Sequence, residues 1–333
     1  MGCLFRKLDT RNIKNIKYIK NEHLENNILA WKNKESLQQN LSTKKLNIII
    51  ESELSNYYYY TNNFLKSKNA THILSYKLSS KDIDSILHNS NNITKEINNQ
   101  LNSMDFKSID IIYWIKKELN ESKIQEIINE IKQNNEIKQN NEIIHIGVVN
   151  HDLNGIKKVD KILKENQSKL FAVKNNYNMI RLSSERLEKL FEEKNNDNMN
   201  RSSSEILEYC KNNNIYFFSC DVFEKGILSG KYNSDNPMPE KPNEDWNRFY
   251  NEQIEKVDNL NEAFQKNKDK VDISVIPIKY NIYRGTIPVI EFNEIEKYLD
   301  NKVNFEALNS PLNNGELIGF ERTVDMQTIK LYE

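Results

Sequence analysis

Glycine is scarce in this chain. There are 8 in 333 residues, about a third of the number implied by the roughly 7% typical of soluble proteins. Gly2 is the only one before Gly147. Loops that bring backbone close to a pyrophosphate need glycines in close succession, so the first 146 residues hold neither a Rossmann fingerprint nor a Walker A loop. Cysteine is scarcer still: Cys3, Cys210 and Cys220 form neither a disulfide framework nor a zinc pattern. That usage fits a reducing cytosol. No charge of one sign dominates, since 47 basic and 48 acidic residues leave a net charge of −1. A nucleic-acid partner, which needs a clustered excess of Lys and Arg, is thereby excluded. Long apolar runs are missing too. "IDIIYWI" and "ISVIPI" fall far short of a membrane span, and Arg6 and Lys7 lead into polar sequence, not the apolar core of a secretory signal.

What is present alternates. Apolar, β-rich segments recur at 46–50, 72–77, 109–115, 143–149, 170–173, 215–220 and 286–290. Several are apolar at consecutive positions, the mark of strands covered on both faces as in parallel sheets. Helix-like stretches lie between most of them, such as "ESKIQEIINEIK" (121–132), with Ile at i, i+3 and i+4. Strand alternating with helix over this length predicts a doubly wound sheet or a (β/α)8 barrel. "KQNNEI" occurs twice in succession, and "NMIRLSSERLE" (178–188) is echoed by "NMNRSSSEILE" (198–208). Neither continues as an array, which argues against a solenoid. The excess of Asn, Lys, Ile and Tyr follows A/T-rich codons and carries little functional weight. No linker divides the chain, so 1–333 reads as a single domain. Pro237, Pro239 and Pro242 fall in a long loop, 233–250, of the kind that covers barrel sites.

In their order and spacing these segments resemble the aldo/keto reductases over nearly the whole chain. "FRKLDTRNIKNIKYI" (5–19) is similar to the family's opening hairpin and first strand, and "ESLQQNLSTKKLNIIIES" (35–52) to its first helix and second strand. "ILSYK", "IDIIYWI", "IGVVN", "NNYNMIR" and "IPVIEFNEIEKYLDN" follow in family order. The most specific phrase is "LEYCKNNNIYFF" running into "KGILSGKY". The resemblance implies a (β/α)8 barrel with an NADPH site at the carboxyl ends of its strands. It also implies carbonyl reduction, with a Tyr acid tuned by a Lys–Asp pair and a His that orients the substrate.

Carried onto this chain, that machinery is incomplete. Lys77 matches the family Lys; Glu51 stands at the Asp position, with the charge kept and one methylene added. The Tyr position falls at Asn56, just before "YYYY", so Tyr57 serves only after a one-residue shift. Otherwise that run is a turn and helix start with rings in the core. Ile115 occupies the His position. His151, after Asn150, is the one histidine placed near the site and reads as a solvated loop residue; the others, including His72 and His145 near strand starts, lie away from it.

On the cofactor side Asn150, Phe223, Gly226 and Lys231 match binding positions or stand at them. Val149 replaces a Ser, Lys174 a Gln, and Cys220 the aromatic that stacks on nicotinamide. Asp221-Val222-Phe223 stands where Ser-Pro-Leu is expected, and Asp221 has the wrong sign for phosphate. Val289 replaces a glycine, with Glu291 and Glu294 following. The helix expected in "DISVIPIKYNIYRG" looks poor because of Pro277 and its β-branched neighbours.

The leading expectation is therefore a reductase-like barrel that acts by binding, its partner a protein, as for the potassium-channel β subunits of the family. The alternative is an active NADPH-dependent reductase of aldehydes or ketones with a rearranged site using Lys77, Tyr57 and His151. "MGCLFR" also places Gly2 and Cys3 where two lipids would attach a cytoplasmic protein to a membrane. Arg6 stands at the usual hydroxyl position there, and the same residues also read as an opening strand.

Overall fold

The computed structural model describes residues 28–32, 47–53, 70–78, 83–84, 111–115, 120–133, 145–179, 202–238, 250–251, 254, 257–259, 261–262, 272–291, 313 and 315–316. Eight strands are β1 (Ile28–Lys32), β2 (Asn47–Glu53), β3 (Ala70–Leu78), β4 (Ile111–Ile115), β5 (His145–Val149), β6 (Leu170–Asn176), β7 (Tyr216–Cys220) and β8 (Ile287–Glu291). Each pairs in parallel with the next, and β1 pairs with β8, so the sheet closes into a barrel. Helices among the described residues include α1 (Glu121–Gln133), α2 (Leu153–Glu165), α3 (Ser202–Asn212) and α4 (Ile276–Tyr283).

The seven apolar segments read from the sequence each overlap a barrel strand. The first strand is a correction: it is Ile28–Lys32, whereas the resemblance placed it within 5–19, outside the described residues. Consecutive apolarity in β6 has the expected meaning, because its first six residues are all buried. Residues facing inward fill the barrel, with Tyr113, Val149, Ala172, Phe218, Ile287 and Val289 in one buried cluster. Residues facing outward, such as Ile112, Val148 and Val173, pack with Ile127 and Ile128 of α1 and Ile156 and Leu163 of α2.

Helix α2 begins at Asp152, whose carboxylate accepts the Gly155 amide at 2.6 Å, a cap worth about 1 kcal/mol. Helix α4 is the second correction. Pro277 lies in its first turn, where a missing N–H costs nothing and a fixed φ assists helix entry. Pro277 therefore starts this helix.

Asp160 of α2, only 1% exposed, ties three elements together. It accepts the Tyr209 hydroxyl of α3 at 2.6 Å, pairs with Lys164 at 2.7 Å, and accepts the Leu170 amide of β6 at 3.4 Å. Burial, then the Asp160 charge, pushes the adjacent Cys210 thiol from 9.0 up to about 12. Burial and Asp160 likewise raise the Tyr209 phenol, and burial raises Tyr216. The folded chain thus holds protons that the unfolded chain has released, so stability is intact below about pH 9 and falls as pH rises towards 12. Urea midpoints should be flat to about pH 8.5 and decline above it. Cys210→Ala should make the decline between pH 9 and 12 shallower. A flat profile to pH 11 would contradict the burial of these groups.

Candidate functional site

In a barrel of this kind, functional groups gather at the carboxyl ends of the strands. Lys77 is the penultimate residue of β3, is exposed, and lies level with Tyr113 of β4. Glu51 is level with Ile73 of β3, which leaves it four residues short of Lys77, about 13 Å along the strand at 3.3 Å per residue. Glu53, level with Ser75, comes nearer in register. Asn56 and Tyr57 lie outside the described residues. Ile115 ends β4, level with Val149, so the position assigned to a histidine carries an aliphatic residue at the rim.

After β5 the chain turns sharply. Asn150 is exposed with φ 56°, a left-handed conformation that Asn tolerates better than most residues. Its amide donates to the Lys174 carbonyl at 3.0 Å. His151 corrects the sequence reading, because it is buried at 5% exposure. Its Nδ1 lies 3.0 Å from the Val149 carbonyl, and Asn175 clamps its backbone by accepting its amide at 3.2 Å and donating to its carbonyl at 2.8 Å. The ring packs against Gly155 in the first turn of α2. It serves to join strand end to helix start.

Inside the barrel, Lys174 of β6 is level with Val149 and Phe218 and only 7% exposed. Its ammonium sits 5.3 Å from the centre of the Tyr113 ring, within cation–π range. Gly147 of β5 separates the two strands and makes room for that ring: a Cβ there would lie 2.4 Å from Tyr113 Cδ1.

The segment after β7 is wound tightly. Asp221, Glu224 and Lys225 have φ of 55°, 45° and 52°, and Gly226 has 98°. Backbone held in this region by non-glycine residues costs about 1–3 kcal/mol each and persists only where the surroundings enforce it. Here Asp221 Oδ1 accepts the Lys225 amide at 3.0 Å and the Asp221 carbonyl accepts the Glu224 amide at 2.9 Å. The Phe223 carbonyl accepts the amides of Gly226 and Leu228 at 2.9 and 3.0 Å. Lys231, half-buried, gives its amide to Ser229 Oγ at 3.1 Å. The Phe223 side chain is fully buried, which leaves only its backbone to meet a ligand. Cys220 is half-buried at the strand end, level with Asn176.

Sequence reasoning missed the groups that hold this loop. The Glu224 carboxylate is 0% exposed and accepts Asn178 Nδ2 at 2.7 Å, while the same nitrogen lies 2.8 Å from the Asp221 carbonyl. Asn175 and Asn178 are both buried, yet in sequence they look like the rest of the Asn-rich background. No motif marks them.

Three comparisons bear on identity. A family model described as "Aldo/keto reductase family" matches residues 57–317. Among solved structures, an aldo/keto reductase from Brucella melitensis superposes with a TM-score of 0.53 at 11% identity, covering 89% of this chain and 94% of the other. An aldo-keto reductase enzyme from a Medee basin deep-sea metagenome library gives 0.52 at 12% identity, with 89% and 90% covered. The holo form of a Bacillus halodurans aldo-keto reductase gives 0.49 at 15%, with 96% and 88% covered. No curated protein sequence matches the chain.

Proposed function

The chain belongs to the aldo/keto reductase family, and from that premise we propose that it acts by binding and does not catalyse NADPH-dependent carbonyl reduction. The observation that carries this reading is the loop after β7. Its amides at Glu224, Lys225, Gly226 and Leu228 already donate within the loop, and the Asp221 and Glu224 carboxylates stand among them. A pyrophosphate needs free amides and positive charge. These groups do not fit one. Ile115 removes a second requirement, because an aliphatic residue neither orients nor protonates a substrate. Loss of one general acid alone costs on the order of 10²–10⁴ in rate.

Two partner classes go with the family resemblance, a protein and a small carbonyl compound. Attachment to a membrane through acylated Gly2 and Cys3 is a separate proposal, which intact mass of the native protein tests. Among the described residues no helix is long and apolar enough to cross a membrane.

Titration of the purified chain with NADPH should show no saturation below about 1 mM, three orders of magnitude above the micromolar affinity expected of a working cofactor site. No aldehyde-dependent oxidation of NADPH should accompany it. The competing reading, a reductase using Lys77 and Tyr57, is favoured by one observation: Lys77 is exposed at the end of β3. Micromolar NADPH binding with turnover that collapses in Lys77→Met would establish that reading in place of ours.

A further inference from the structure

An arginine drawn partly out of water ordinarily has a carboxylate opposite its fork of N–H donors. Arg284 does not. It caps the carboxyl end of α4 and is half-buried, and its Nε donates to the Tyr177 hydroxyl at 3.2 Å. Among the described residues neither Nη amine donates a hydrogen bond. The ionisable groups near enough to feel its charge are the phenols of Tyr177, Tyr280 and Tyr283, with no carboxylate among them. The negative end of the α4 dipole accounts for a cation at this place, but not for amines of the fork left unused. Beside it Tyr283 is 57% exposed, the one large apolar side chain so exposed among the described residues. Gly285 follows with φ 77° and nothing within 4 Å of the position a Cβ would take, so another backbone can approach closely there. Tyrosine and arginine side by side are the residue types that carry most of the binding energy at protein interfaces.

We propose that Tyr283 and Arg284 form the centre of a docking face for an acidic segment of a partner protein. An Asp or Glu carboxylate of that segment accepts from the two Nη amines, and an apolar neighbour lies on the Tyr283 ring. The charge match is local, because 47 basic and 48 acidic residues leave the whole chain without a long-range pull on an acidic partner. A membrane surface fits less well. Anionic lipid is held by clusters of Lys and Arg, whereas Arg284 is the one cation between Ile282 and Gly285, and Lys279 of the same helix is buried against Glu316. The inference rests on the binding reading and supplies its partner.

The test selects a displayed library of random peptides against the full chain without NADPH, with counter-selection against the double variant Tyr283→Ser, Arg284→Gln. Peptides retained only by the unaltered chain should be enriched in Asp and Glu beside an apolar residue. A synthetic copy of the most enriched peptide should bind about tenfold more weakly to Arg284→Gln, and about tenfold more weakly to Tyr283→Ser. Tyr283→Ser changes an exposed side chain, so its urea midpoint should match that of the unaltered chain. It therefore reads the face even if Arg284→Gln, which loses the bond to Tyr177, folds poorly. Raising salt should weaken the peptide further. No enrichment, enrichment without acidic residues, or affinity unchanged in Tyr283→Ser overturns the proposal. Sedimentation with phosphatidylserine vesicles that is lost in Arg284→Gln assigns the face to a membrane, and self-association lost in Tyr283→Ser assigns it to a second copy; either result overturns it too. Because NADPH is absent, failure here leaves the binding reading standing, whereas NADPH-dependent turnover in the separate titration removes that reading.

Discussion

Lys279→Met should destabilise the barrel by about 3–5 kcal/mol, the usual result of leaving one partner of a buried ion pair without its counter-charge. Lys279 projects from α4, and its ammonium meets Glu316 Oε1 at 2.6 Å with the two side chains 4% and 3% exposed. The other carboxylate oxygen accepts the Asn313 amide at 2.8 Å, while Asn313 Oδ1 accepts the Glu316 amide at 2.9 Å. This pair therefore fixes Glu316, and Asn313 with it, onto the helix that leads into β8. In Lys279→Met the Glu316 carboxylate remains enclosed and charged. Adding Glu316→Gln removes the charge but keeps an acceptor for Asn313, so the double variant should recover more than half of the loss. Urea unfolding of the two variants checks both statements. A single-variant loss under about 1 kcal/mol, the range of exposed pairs, would mean that the pair is solvated.

Gly147→Ala should have the next largest effect. The added methyl would meet Tyr113 Cδ1 and Cε1 at 2.4 Å and the Ala172 carbonyl at 3.2 Å. The Tyr113 ring is 1% exposed and enclosed within the barrel, so it cannot swing into solvent. Overpacking of this kind costs about 1–3 kcal/mol, and the upper end is expected because one of the neighbours is backbone. The damage should depend on Tyr113. In a double-mutant cycle, Gly147→Ala combined with Tyr113→Ala should be less destabilised than the sum of the singles by more than about 0.5 kcal/mol. Additive losses would show that the ring does not lie over Gly147.

The resemblance named residues of the sheet but could not say what each one does there. Lys77 is the penultimate residue of β3 and Asn150 follows the last residue of β5, whereas Lys174 lies within β6. A strand's position in a regular βα alternation is a local matter, but the surroundings of its residues are not. His151 was misread: polar neighbours in sequence predict solvent, yet Asn175, 24 residues away, closes over its backbone. Asp221 was judged only by its charge. Its hydrogen bond to the Lys225 amide is what takes up a donor of the loop, and that depends on a run of left-handed residues which no residue pattern announces. Pro277 was read as a helix breaker because its place in the helix, first turn or interior, could not be known before the boundary was.

Sequence by itself determined the class of fold, for a physical reason. A strand covered on both faces must be apolar at consecutive positions, and seven such segments separated by helical periodicity admit few architectures. The strand it missed, "ILAWK", is short and locally unremarkable, and it becomes β1 only because β2 and β8 both pair with it. Tertiary structure alone decided which polar groups are consumed inside the chain. Glu224 and Asn178 are 46 residues apart, Asp160 and Tyr209 are 49, and Lys279 and Glu316 are 37. Such pairs cost the chain its loop entropy and their own hydration. They form only after closure of the sheet has already brought their strands and helices together.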